Sequence, residues 1–119
     1  MNKIIANPEI VVLEIDSLFK NLSLKLQEKA IEYSRNNDPF HNFNKGALQT
    51  GKDPRVVLYG FLLKHLISLN DIVDDLERLG KEPIESMIDE KIGDTIIYLA
   101  LLRTMNKVVA NGKSEDLPF

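Results

Sequence analysis

DPRVVLYGFLLKHLISLNDIVDDLERLG, residues 53–80, is the stretch of this sequence that decides the fold. Asp53 suits the N-cap of a helix and Pro54 suits the first helical turn, while Gly80 is typical of a helix end. Between these signals the apolar residues recur at intervals of three and four, which is the spacing of an α-helical face. The sequence therefore predicts one long helix across this stretch.

The same spacing continues through most of the chain. Polar, turn-forming residues before Pro39 separate the first helix from the next, and Ser86 with Asp89 has the spacing of a capping box at the start of the last helix. The segments expected to be helical are residues 8–35, 42–50, 53–80 and 86–111, followed by a flexible tail over 112–119. The pattern predicts an all-α protein, a single domain over residues 1–119 built as an antiparallel helical bundle of about three long helices plus a short one.

Composition narrows the function classes. A net charge of −3 argues against a general nucleic-acid or membrane-surface binder, and the lack of cysteine excludes disulfides and thiolate chemistry. Residues 1–8 lack the basic start and apolar stretch of a signal peptide. The longest continuous apolar run, Ile96–Leu102, is too short to span a bilayer. We therefore expect a cytoplasmic protein with no membrane partner.

The run Ile96–Leu102 also suggests assembly. It is apolar almost all round the predicted helix, so that one face meets the core and another needs a second cover. A partner subunit is the simplest cover, because so short a chain has little core to offer. We expect a homo-oligomer, the alternative being that the long helices of one chain wrap this run completely.

Two polar stripes stand out on the last two predicted helices. Lys64, Ser68 and Asp71 share one stripe, and Glu90, Asp94 and Tyr98 share another. Because a short turn joins the two helices, the stripes are expected to face each other across a cleft, with the loop before them nearby. The candidate ligand-binding residues are Lys64, His65, Ser68, Lys91, Asn42, Phe43 and Tyr98.

The chemistry of this set suits a nucleotide. Lysine and histidine side chains neutralise phosphate oxygens, and the rings of Phe43 and Tyr98 could stack on a planar base. Asp71, Glu90 and Asp94 could hold Mg²⁺ through carboxylates, water and ligand phosphate. The plainer interpretation is a solvated helix face with aromatic plugs at the end of the bundle. The sequence identifies no catalytic residue.

A family resemblance gives these elements more weight. The elements that carry it are, in order, Lys29-x-x-x-Tyr33, Asp38-x-x-x-Asn42-Phe43, Lys64-His65-x-x-Ser68-x-x-Asp71 and Glu90-Lys91-x-x-Asp94-x-x-x-Tyr98. Over residues 29–103 the chain resembles the small phage and prophage proteins of the nucleotide modification associated domain type. Those proteins are in turn similar to the MazG-like all-α nucleotide pyrophosphohydrolases. The resemblance implies a helical, usually oligomeric protein that works on or near nucleotides, in the host-cell cytoplasm if a phage encodes it.

One departure separates the chain from the enzymes. MazG-like enzymes bind magnesium with two acidic pairs, of the forms Glu-x-x-Glu and Glu-x-x-Asp, whereas Glu90 and Asp94 here are one residue further apart. A metal site that splits a pyrophosphate needs enough carboxylates to fix the ion and activate water. This difference favours binding without chemistry.

Three functions follow from the sequence. The first is a protein that binds a nucleotide or nucleotide-derived signal, which in a phage would suit a sponge for a host defence messenger. The alternative is a Mg²⁺-dependent nucleoside triphosphate pyrophosphohydrolase. The second alternative is a structural protein-interaction module that buries the Ile96–Leu102 surface against another protein.

Overall fold

The computed structural model describes residues 3–112, and within that range it confirms the all-α fold. Its helices are α1 (Pro8–Tyr33), α2 (His41–Thr50), α3 (Pro54–Leu79) and α4 (Glu85–Ala110). Each boundary lies within two residues of the predicted one. Apart from Gly112, the tail expected over residues 112–119 lies outside the described residues.

The largest boundary difference is at the end of α1. The helix stops at Tyr33, before residue 35, because the chain then makes a tight turn. Asn36 and Asn37 both have positive φ, 55° and 64°, and the backbone groups of Arg35 and Asp38 on either side exchange two hydrogen bonds of 3.1 and 2.9 Å. Asparagine tolerates this left-handed conformation better than most residues. The Asn-Asn pair therefore fixes the turn between α1 and α2.

The ends of α3 match their sequence signals. The Asp53 carboxylate accepts a hydrogen bond of 2.8 Å from the backbone N–H of Arg55, and Gly80 ends the helix with a φ of 63°. The capping box expected for α4 is wrong. That helix begins at Glu85 with Ile84 as its N-cap, so Ser86 already lies inside the first turn and no side chain caps the helix.

Packing is organised around the α3–α4 pair. The two helices run antiparallel with the most extensive contact in the described chain, α2 rests on α3, and α1 rests on α4. The core cluster is formed by the buried side chains of Phe43, Leu58 and Met105. Around it pack the partly buried residues Phe40, Val57, Tyr98, Leu101 and Leu102. The core therefore lies where α2, α3 and α4 meet.

The run Ile96–Leu102 does not provide the bare surface expected from the sequence. Ile97 is buried, and within the run only Leu99 is exposed. The exposed apolar side chains lie instead mainly on α1 and α3. The chain's own helices therefore bury or partly bury this run apart from Leu99, and the more exposed apolar surface lies elsewhere. The expectation of a homo-oligomer stays a prediction.

Helix α3 is also long and apolar enough, by length and composition alone, to cross a membrane. An 18-residue window in it has a mean hydropathy of 1.5, and 11% of that window is buried within the chain. The longest uninterrupted apolar run, taken as the criterion for membrane-spanning length, overlooks α3. A few polar residues such as Lys64 interrupt α3 without making it hydrophilic. Core helices of soluble proteins have the same length and composition.

Gly46 allows α2 to approach α3 closely. A Cβ atom at this position would lie 2.8 Å from Cγ1 of Val57, which is well inside van der Waals contact. The β-branched valine has few rotamers with which to make room. The absence of a side chain at Gly46 therefore sets the distance between α2 and α3.

We expect Gly46→Ala to destabilise the protein. Alanine improves helix propensity by about 1 kcal/mol, but overpacking against Val57 typically costs about 1–3 kcal/mol. Because Val57→Ala removes the clashing methyl groups, the double variant should be less destabilised than the sum of the two single variants. Denaturant unfolding of all four proteins measures this, and a Gly46→Ala protein more stable than wild type would contradict the close approach.

Candidate functional site

A groove between α3 and α4 contains several of the residues expected in a site. It has a volume of about 390 Å³ and runs from the C-terminal half of α3, across the connecting turn, to the first turns of α4. We call it the α3–α4 groove. Its lining residues are Ser68, Asp71, Ile72, Asp75, Lys81, Glu82, Pro83, Ile84, Met87 and Lys91.

The groove brings together three of the predicted residues. Ser68 and Asp71 come from the α3 stripe, and Lys91, which flanks the α4 stripe, comes from α4. The α4 stripe itself does not line the groove, so the expectation that the two stripes face each other across one cleft is wrong. Ser68 Oγ donates a hydrogen bond of 3.1 Å to the carbonyl of Lys64, which leaves the hydroxyl oxygen able to accept from a ligand. The antiparallel pairing that the short turn predicted is the reason for this meeting.

Sequence reasoning missed the turn residues. Lys81 and Glu82 follow the helix-ending Gly80 and were treated as a connection, yet they form one end of the groove. The shortness of this turn was the sequence signal that could have identified Lys81 and Glu82 as site residues. A charged side chain on such a turn stays close to both helix ends that it joins.

His65 and Tyr98 form a stacked pair above the core. Their ring centroids are 5.2 Å apart with an angle of 28° between the planes, and both residues are partly buried. Nδ1 of His65 is buried and has no hydrogen-bond partner among the described residues. Tyr98 also packs on the core cluster. Neither residue lines the α3–α4 groove, so the structure separates this pair from Ser68, Asp71 and Lys91.

Phe43, Asn42 and Lys64 lie outside the groove as well. Phe43 is fully buried, with its ring 5.7 Å from that of Phe61, and a ring enclosed in the core offers no face to a base. The stacking role expected for Phe43 is therefore wrong, and the interpretation as a plug is correct. Asn42 and Lys64 are exposed on the surface of α2 and α3.

The three carboxylates expected to share a metal ion lie apart. Asp71 lines the α3–α4 groove, whereas Glu90 lines a second groove between α1 and α4. Asp94 makes an ion pair of 2.9 Å with Lys25 of α1. Across residues 3–112 no three acidic or histidine side chains come together as a metal site. The metal site predicted from Asp71, Glu90 and Asp94 is thus wrong for the single chain, because α1 occupies the side of α4 that carries Asp94.

A third groove, with a volume of about 560 Å³, lies at the opposite end of the α3–α4 pair, and polar contacts link several of its charged groups. Asp53 accepts hydrogen bonds of 2.9 Å from both Nε and Nη2 of Arg55, whose Nη1 donates to Oδ1 of Asn106. The side-chain hydrogen bonds from Arg55 lower the pKa of Asp53 to about 2 and raise that of Arg55. These hydrogen bonds join the start of α3 to the end of α4, so we assign Asp53, Arg55 and Asn106 a structural role.

No family model, curated protein or solved structure matches the chain. The resemblance to nucleotide modification associated proteins therefore stays a prediction, and the geometry of the chain carries the functional argument.

Removal of the Lys25–Asp94 pair should loosen α1. The Asp94 side chain is 16% exposed and that of Lys25 37%, so we expect a coupling of about 0.5–1 kcal/mol, near the upper end for surface pairs. The measurement is a double-mutant cycle with Lys25→Met and Asp94→Asn. The pair Lys20–Asp16 on the same helix, at 3.1 Å and far more exposed, is the matched control and should couple less. Equal coupling in both cycles would contradict a docking role for Asp94.

The Asp53–Arg55 pair should make stability depend on pH in acid. Because the folded pKa of Asp53 lies below its ordinary value of 3.8, its contribution is present above that value and is lost as the pH falls towards about 2. Asp53→Asn keeps an N-cap oxygen but removes the charge. The gap in Tm between wild type and this variant should therefore be present at neutral pH and close below pH 3.8. A gap that is constant with pH would contradict the assignment.

Proposed function

We propose that this protein binds a phosphate-bearing, nucleotide-like small molecule in the α3–α4 groove. The observation that carries the proposal is the mixed chemistry of one concave surface, where two lysines, three carboxylates, a serine and an apolar wall meet. Most ligand sites combine an apolar lining with a few converging polar groups in this way.

Each part of the lining matches a part of such a ligand. Lys81 and Lys91 are suited to phosphate oxygens. Asp71 and Asp75 can accept hydrogen bonds from ribose hydroxyls or from an exocyclic amino group. The apolar wall that would contact the base consists of Ile72, Pro83, Ile84 and Met87.

The charge of the groove limits which phosphate compounds fit. Three carboxylates and two ammonium groups line it, so a bare polyphosphate would meet repulsion as well as attraction. A ligand with one phosphate, or with one phosphodiester, and several hydrogen-bond donors suits this balance better than a triphosphate. This supports a nucleoside monophosphate or cyclic nucleotide as the ligand class.

Binding without turnover is the form of activity that we propose. The hydrolase alternative needs a cluster of carboxylates that positions a metal ion and a water. In this chain Asp71 and Glu90 line different grooves, and Asp94 is paired with Lys25. A binder of this kind would serve as a sponge for a nucleotide signal, the role expected if a phage encodes the chain.

Calorimetric titration with a panel of nucleoside monophosphates and cyclic nucleotides, with and without Mg²⁺, tests the proposal. We expect saturable binding that Lys91→Ala weakens by about 10-fold or more, since a hydrogen bond to a charged group contributes about 1.5–3 kcal/mol. Lys64→Ala is the matched control. This lysine is exposed on the neighbouring helix and lies outside the groove, so its loss should leave the affinity nearly unchanged.

Two results would overturn the proposal. One is no binding of any panel member at millimolar concentration. The other is an equal loss of affinity in Lys64→Ala and Lys91→Ala, which would place the phosphate outside the groove. Release of product from a bound nucleotide, measured by chromatography of the same mixtures, would favour the hydrolase alternative.

A further inference from the structure

Helix α3 has a second apolar face that stays largely exposed in the described chain. The side chains of Val56, Tyr59, Leu63, Leu66 and Val73 are all exposed, at 37–57%. They follow one another at alternating intervals of three and four, with Asn70 at the one position in the series that is not apolar. We call this series, Val56, Tyr59, Leu63, Leu66, Asn70 and Val73, the α3 seam.

The α3 seam differs from the face of α3 that packs inside the chain. Leu58 and Leu62, which lie between seam positions in the sequence, are buried. Helix α3 is therefore apolar on two sides, and only one of these sides is used within the chain. A helix that is hydrophobic on more than one face is buried in larger proteins, assemblies or membranes.

We propose that the α3 seam packs against the same seam of a second copy of this chain. Alternating intervals of three and four are the heptad spacing by which two helices pack side by side. A two-fold axis lets one seam serve as both halves of the interface, so no other partner is required. A single polar Asn within an apolar seam is a known device for fixing register and the number of chains.

The solvent-exposed area of the chain supports a second copy as the partner of the seam. The chain exposes 9339 Å², whereas a compact monomer of 13.5 kDa exposes about 6,500 Å². The nine residues outside the described range contribute at most about 1,500 Å². About 1,300 Å² of excess then remains, and a stable interface needs about 800 Å² from each partner.

The dimensions of the chain agree with the area. The radius of gyration is 17.5 Å, against about 13.5 Å for a compact chain of this length. The N-terminal half of α1 also carries exposed apolar residues, among them Val12, Leu13 and Ile15. In a dimer formed through the seam, the second copy would offer additional surface against which these α1 residues could pack.

The alternative is that the seam contacts a membrane, and two residues argue against this. Lys64 and His65 lie near the middle of α3, where an ionisable side chain in a bilayer costs several kcal/mol. The paired helix α4 also carries Lys91, Asp94 and Arg103 along its length. A second protein copy leaves Lys64 in water, because that residue lies outside the seam.

Multi-angle light scattering of the full chain over a range of concentrations tests the proposal. We expect a mass of twice 13.5 kDa, that of a dimer. Leu63→Glu should raise the dissociation constant by about 100-fold or more, as for a residue at the centre of an interface. Leu48→Glu is the matched control, because Leu48 is an exposed leucine on α2 outside the seam, and it should leave the mass unchanged.

A second variant tests the seam itself. Asn70→Leu should tighten association and produce a mixture of masses, because the polar residue that selects one arrangement is gone. If Leu63→Glu loses its helical circular dichroism, the test moves to wild type, whose Tm should rise with protein concentration if folding and association are coupled.

Several results would overturn the proposal. They are a wild-type mass of 13.5 kDa with a Tm independent of concentration, equal masses for wild type and a folded Leu63→Glu, or an unchanged Asn70→Leu. Flotation of the wild-type chain with phosphatidylcholine–phosphatidylglycerol vesicles, abolished by Leu63→Glu, would assign the seam to a membrane. Nucleotide binding is measured separately in the α3–α4 groove, so either proposal can fail without the other.

Discussion

The antiparallel packing of α3 against α4 is the contact on which the rest of the structure depends. It aligns Leu58 of one helix with Met105 of the other, and Phe43 of α2 completes the core between them. Both neighbouring helices then attach to this pair, α2 to α3 and α1 to α4. The same alignment brings Lys91 beside Ser68 and Asp71. Fold and candidate site thus have one origin, the short turn after Gly80.

Local signals in the sequence predicted the helices well because each helix end depends on nearby residues. Asp53 caps α3 through the next turn of backbone, and Gly80 ends it by its own conformation. The site was predicted only in part, because it depends on how helices rotate about their axes. The rotation of α4 that buries Ile97 also directs Asp94 towards Lys25 of α1, so the two polar stripes do not meet across one cleft as expected.

The roles of the aromatic residues were also only partly predictable from the sequence. In the sequence, Phe43 and Tyr98 can each be a ligand contact or a packing residue, with the plug the plainer interpretation for Phe43, because burial depends on which helix covers them. The close approach of α2 to α3 at Gly46 decides the outcome for Phe43. Tyr98 faces His65 across the helix pair. No periodicity in either helix encodes that approach, so the sequence alone could not separate the two roles.

The apolar character of α3 explains why the most exposed apolar surface was not found where the sequence suggested it, on α4. The run Ile96–Leu102 is the longest uninterrupted apolar segment, and continuity suggested excess hydrophobicity there. In α3 the excess is divided between two faces, one buried with Leu58 and Leu62 and one exposed in the seam. Polar residues between these faces, Ser68 and Asp71, line the groove. Three sides of one helix therefore lie in three environments, namely the buried core, the lining of the α3–α4 groove and the exposed seam. Because the groove and the seam lie on different sides, the proposed pairing of seams would leave the groove open to the proposed ligand.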